Sequence, residues 1–181
     1  MNKQILINPC FKDRVTILET GKETSGAYDL LEVELDPAGG NSLHYHTSFS
    51  ETFIPVEGTL GVVKGKQKLE LKPGSTATIE KGEMHCFFNP GDSIIRFRVK
   101  IAPSNINFLQ SLGIVYGLAA DGLTNKTGRP NKLAHMAILL DLSDTRVPGF
   151  FGLITPLLLR KARSKRTVAM RKELVEKYCN S

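Results

Sequence analysis

Four residues of this sequence have the types and spacing to hold a divalent metal ion: His44, His46, Glu51 and His85. In a β-strand, residues i and i+2 project to the same face with Cα atoms about 6 to 7 Å apart. His44 and His46, in the run Leu43-His44-Tyr45-His46, therefore point the same way. Two imidazoles that converge on one point chelate a first-row metal. Glu51 follows after a turn-sized interval and can enter from a neighbouring strand. His85 opens the apolar run His85-Cys86-Phe87-Phe88, where a strand facing a core would bury it. A buried imidazole needs partners for its ring nitrogens, and a metal is one such partner. The fourth histidine, His135, sits among Leu133, Met136 and Leu139 and reads as structural.

The elements that must position these residues are short strands. Val15–Leu18, Tyr28–Leu35, Ser42–His46, Thr52–Val56 and Leu60–Val63 are β-branched or alternating runs. Lys68–Leu71, Thr76–Ile79, His85–Phe88 and Ile94–Ile101 continue the series, with Gly, Pro, Asn and Asp clusters between them. Strands at this spacing indicate an all-β sandwich or barrel. Lys64-Gly65-Lys66-Gln67 reads as a hairpin tip. In Ser93–Ile101, Arg96, Arg98 and Lys100 alternate with Ile95, Phe97 and Val99, a solvent face opposite a core face. Asn89, beside Pro90-Gly91, reads as a turn residue, and Cys86 as packing.

After Pro103 the periodicity changes. Phe108, Leu112, Val115, Tyr116 and Ala119 recur at three- and four-residue intervals, which predicts a helix over Asn107–Ala120. A second helix is expected from an Asn131 cap to about Leu142. The apolar Val147–Leu159 leads into a basic segment, and Arg163–Tyr178 reads as a solvated helix. The expected organisation is a barrel over residues 1–103 carrying the metal site, and a helical extension over 104–181. That extension would pack on the barrel or at a subunit interface, because its apolar stripes need cover.

The segments around the four residues resemble the cupin superfamily. Its first motif is a glycine, five residues, His-x-His, three or four residues, Glu, six residues and a glycine. His44, His46, Glu51 and Gly58 fit it, while Gly39 and Gly40 stand closer to His44 than the leading glycine does. Its second motif is a glycine, five residues, Pro-x-Gly, two residues, His, three residues and Asn. Gly74, Gly82, His85 and Asn89 fit in register, and Glu80 stands where the motif has proline. The sequence looks like the small, single-barrel, bacterial-type members. The resemblance implies a mainly β fold, an antiparallel jelly-roll barrel, with the helical extension added. It implies one divalent metal ion (Fe, Mn, Ni or Zn) held by three imidazoles and one carboxylate. About two coordination positions would stay open for water, substrate or dioxygen.

Composition narrows the remaining classes. The chain has 181 residues, 41% of them hydrophobic, enough for one domain with a real core. The net charge of +6 gathers in Arg160–Lys172, which holds seven Lys and Arg and no acid. A globally basic nucleic-acid surface is therefore not expected. Contact of the basic tail with an anionic membrane is a weaker expectation than packing of the apolar segment. Cys10, Cys86 and Cys179 show no metal-type spacing and read as reduced thiols of a cytoplasmic protein. The beginning of the sequence has no apolar signal-like run.

The leading functional expectation is a metal-dependent, dioxygenase-like oxidoreductase acting on a small organic molecule. One alternative is a small-ligand binding or sensing protein with no catalysis, and another a metal-assisted isomerase or hydrolase. No general base is apparent. Tyr28, Asn41 and Ser48 are candidates for the pocket wall. A homodimer is expected through Thr52, Ile54 and Val56, on the strand face opposite Glu51.

Overall fold

A computed structural model describes residues 4–179, apart from the side chains of Phe150 and Phe151. The few terminal residues of the two expected regions lie outside the described residues. Among the described residues there are eleven strands and four helices, ten of the strands preceding the first helix and the last falling between the second and third. Strands β1 (Ile5–Asn8), β2 (Asp13–Glu19) and β3 (Asp29–Leu35) lead to β4 (Tyr45–His46) and β5 (Ser50–Glu57). Next come β6 (Leu60–Lys64), β7 (Gln67–Leu71), β8 (Ala77–Ile79), β9 (His85–Phe88) and β10 (Ile95–Ala102). A six-stranded antiparallel sheet runs β1-β2-β3-β10-β5-β8 and faces a three-stranded sheet β7-β6-β9.

Alternation along the strands selects the core. In β3 and β10 every second residue is buried, so Leu31, Val33, Leu35, Phe97, Val99 and Ile101 point inward. The outward Arg98 and Arg96 pair with Glu32 and Glu57, as the alternation predicts. Lys64 pairs with Gln67 across a two-residue turn, and Gly65 takes φ +59°, the positive value such a turn requires. At the bend between β5 and β6, Gly58 has φ +77°, and a Cβ there would stand 2.5 Å from Ile95 Cγ2. Only glycine fits this corner.

The helical part is α1 (Ile106–Ala120), α2 (Leu133–Leu142), α3 (Phe150–Ala162) and α4 (Lys165–Cys179). Helix α1 begins where Asn105 Oδ1 accepts from the Phe108 amide. Its one side covers β1, and its other side packs with α2 and α4 around Ile114, Leu118, Ile138, Leu142 and Leu174. Helix α4 is therefore mostly solvated but not wholly so, because it buries Leu174 and Thr167.

Several expectations differ from the structure in detail. The strand expected over Ser42–His46 contracts to Tyr45–His46, because its partner is only the two-residue β11 (Thr145–Arg146). His44 reaches His85 through an isolated bridge instead. Helix α2 starts after Lys132, with no side-chain cap, so Asn131 does not cap it. Among the described residues no helix is long and apolar enough to cross a membrane.

Candidate metal centre

The four residues come together from three places in the chain. His44 and His46 lie at β4, Glu51 faces inward on β5 and His85 opens β9. All four are buried, at 8, 3, 7 and 1% exposure, and their nearest donor atoms all lie within 4.8 Å of one another. Backbone bonds hold the assembly: the His44 and His85 amides each donate to the other's carbonyl, at 2.9 and 2.8 Å.

The orientation of each ring is fixed by a backbone carbonyl. Nδ1 lies 2.7 Å from Ser42 O in His44, 3.2 Å from Ser143 O in His46 and 3.0 Å from Glu83 O in His85. A carbonyl oxygen only accepts, so each Nδ1 carries the hydrogen. The neutral rings of His44 and His46 then turn a lone pair on Nε2 toward the shared centre, whereas His85 Nε2 donates to the Glu51 carboxylate and would present its lone pair once a cation displaces that proton. His44 Nε2 and His46 Nε2 stand 3.1 Å apart, two lone pairs facing each other across a contact that a cation between them would make attractive. His85 Nε2 is 2.8 Å from Glu51 Oε2, and His46 Nε2 is 4.0 Å from the same oxygen. Donors about 2.1 Å from a common metal lie about 3 Å apart when adjacent and about 4 Å apart when opposed. The spacing and the chemistry of the donors both fit a divalent ion.

Burial and the contacts among the four side chains together decide the charge states. Desolvation lowers the pKa of His44 to about 4 and lowers that of His46, so both are neutral. Desolvation alone would raise Glu51, but the His85 hydrogen bond and the neighbouring imidazoles win, and its pKa is lowered. His85 is depressed by burial yet raised overall by its hydrogen bond and charge contact with Glu51. The carboxylate is thus ionised and ready to bind a cation.

Helix α2 and its exit complete the support. Asp144, with φ +52°, accepts from the amides of Thr47 and Ser48 at 2.7 and 2.8 Å. This carboxylate, whose pKa is lowered by those bonds against the opposing effect of burial, fixes the turn that separates His46 from Glu51. Ring contacts hold His46 as well: Phe49 stacks on it at 4.4 Å and Phe108 of α1 meets it edge-on at 5.6 Å. The helical extension is therefore part of the site's frame.

A cavity of about 610 Å³ opens beside the cluster. Its walls are mostly apolar, with Phe53, Phe87 and Val99 from the barrel and Phe108, Leu112 and Met136 from the helices. Asn41 lines it, as expected, and accepts from the Phe87 amide. Tyr28 and Ser48 do not line it; Tyr28 instead sits under the Lys100 ammonium on the outer face. Asn89 is a buried turn residue, donating to Leu35 O and Ser93 O. His135 is buried away from the cluster.

Residues 31–101 match the family model of the cupin domain. The barrel is a cupin domain. Two solved structures share the cupin fold at a TM-score of 0.51. KdgF from Halomonas sp. is 16% identical, over 59% of this chain and 92% of that one. An RmlC-like cupin from Shewanella frigidimarina is 15% identical, over 59% of this chain and 89% of that one. At this identity the likeness is one of fold. No curated protein matches the chain.

Sequence reasoning found the four residues that converge here and missed their supports. Phe49, Ser143 and Asp144 act through turns and a long-range docking that no spacing announces. Asp13 was also missed, although a signal exists. It shares the parity of the inward Val15, and the structure places it in the cavity wall.

Proposed function

We propose that this cupin is a metal-dependent oxidoreductase, dioxygenase-like in its chemistry, acting on a small and largely apolar organic molecule. The observation that carries the reading is the convergence of three carbonyl-oriented Nε2 atoms and the Glu51 carboxylate at the wall of an apolar cavity. His44, His46, Glu51 and His85 would hold the ion. A bound redox metal would supply Lewis acidity and a place for substrate and oxidant side by side.

The chain's own residues do the rest. Carbonyls of Ser42, Ser143 and Glu83 keep the rings in the tautomer that presents Nε2. Phe49 and Phe108 shield His46 and lower the local polarity. The apolar walls exclude water and orient a hydrophobic substrate toward the cluster.

Elemental analysis of protein purified without an affinity tag, followed by oxygen uptake with iron-loaded protein over catechols, thiols and diketones, tests the proposal. A stoichiometric redox metal and turnover support it. Stoichiometric zinc without oxygen uptake would move the reading to a hydrolase or isomerase. No metal under any loading condition would overturn it.

We also propose a homodimer through the outer face of β5, where Thr52, Ile54 and Val56 are half-buried within one copy and leave apolar surface to cover. Light scattering at micromolar concentration should give twice the 20.0 kDa of one chain.

A further inference from the structure

Helix α3 is packed on one side only. Its Ile154, Leu158 and Ala162 meet Met136, Ala137 and Leu140 of α2 in a small apolar cluster. At about 100° per residue, these three and the buried Thr155 share one half of the helix circumference. The opposite half carries Leu153, Pro156, Leu157, Arg160 and Lys161, all of them exposed. Leu153 and Leu157 stand one above the other, at 78 and 68% exposure. Among the described residues they are the most exposed large apolar side chains. The apolar segment thus packs as its sequence requires, yet presents a second apolar stripe to the outside.

Cations continue that stripe. Arg160 and Lys161 follow Leu157 within one helical turn, and Arg163, Lys165 and Arg166 carry the charge through the bend into α4. All five are exposed, and among the described residues none joins an ion pair. Their neighbours Arg146 and Arg171 differ, being held by Asp144 and Asp141. No acidic residue occurs from Thr145 to Lys172. A second copy seated on this face would bring the same cations and, over that stretch, no carboxylate to meet them. A nucleic acid would meet the cations but leave the leucines bare. An anionic lipid surface satisfies both. Leucines enter the boundary between headgroups and acyl chains, and the long Lys and Arg stems let their charges reach lipid phosphates. Two leucines alone bind a bilayer weakly, so the basic cluster is the necessary second signal.

We infer that the exposed face of α3, with the basic residues that lead into α4, is a docking surface for an anionic phospholipid bilayer. The helix has 13 residues, about 20 Å in length, and rests along the surface without crossing it. Its inner face stays on α2 throughout, so docking needs no unfolding of the helical layer.

The test mixes the full-length protein with phosphatidylcholine vesicles, with or without about one third phosphatidylglycerol, and measures co-sedimentation. The anionic vesicles should bind on the order of tenfold more strongly, and raising salt from about 0.1 to about 0.5 M should remove most of that gain. Leu153→Gln combined with Leu157→Gln should weaken binding to anionic vesicles on the order of tenfold. Both side chains are exposed, so the thermal midpoint and the mass by light scattering should not change. The sequence has no tryptophan, so Leu157→Trp provides a single reporter, whose emission should move to shorter wavelength on anionic vesicles. Equal or absent binding to the two kinds of vesicle sinks the inference. Undiminished binding by the glutamine variant, or an unshifted tryptophan on sedimenting vesicles, would mean adsorption by charge alone and overturn it as well. A lower mass for the glutamine variant would assign the face to a second copy instead.

Discussion

His85 and His135 are both buried, at 1 and 4% exposure, yet their surroundings differ in kind. His85 gives Nδ1 to the Glu83 carbonyl and turns Nε2 to Glu51, with two further imidazoles beside it. His135, on α2 in the helical layer, has no partner for Nδ1, and burial together with Lys132 lowers its pKa. Burial of a histidine therefore says little by itself. What marks the barrel site is that every ring is braced on one side and converges on a common point on the other.

The sharpest way to break this contrast is His85→Ala. It removes one proposed metal ligand and leaves Glu51 buried without its closest partner. Metal content should fall to a small fraction of wild type. Chemical denaturation in the presence of a chelator should show a loss of about 3 to 5 kcal/mol, the cost of leaving a buried charge unpaired. Equal metal content in both proteins would overturn the site.

Next in size is the long-range brace. Asp144→Ala removes the carboxylate that holds the Thr47 and Ser48 amides. A loss of about 2 kcal/mol is expected, with metal affinity down by roughly 10- to 100-fold as His46 loses its support. Competition with a coloured chelator measures the affinity.

Asp13 extends the comparison to another part of the cavity wall. Its folded pKa of about 6 lies above the unfolded 3.8, so between these values the folded state binds the extra proton. Stability therefore falls as pH rises from about 4 to 6, by about 3 kcal/mol in all. Denaturation curves at pH 4 and pH 8 should show this drop in wild type. In Asp13→Asn the drop should shrink, since the variant has no proton to lose there.

The smallest effect is expected at His135. His135→Ala should leave metal content unchanged and alter stability by within about 1 kcal/mol, because the lost packing is offset by removal of an unpaired nitrogen.

Much of the barrel was legible before folding. Alternation in β3 and β10 announces which residues face the core, since a strand's side chains alternate strictly and no distant contact can change their parity. Parity also carries the outward role of Arg96, Arg98 and Lys100. The helix over residues 106–120 was readable from its three- and four-residue apolar spacing. The cap of α2 was not: Asn131 has the right type, but a cap depends on where the backbone turns, and it turns one residue later. The length of β4 was hidden for a similar reason, because a strand persists only as far as its partner, and the partner lies about a hundred residues onward.

The sequence by itself determined the four candidate ligands, because their types and register within two segments suffice to name them. It also determined the barrel class and the change to helix after Pro103. Only the tertiary structure decided that the end of α2 docks on the turn beside His46, that helices wall the cavity, and that Asp13 is buried in that wall against Tyr116. These depend on contacts between residues far apart in the chain, on side-chain direction and on burial, none of which a local pattern encodes.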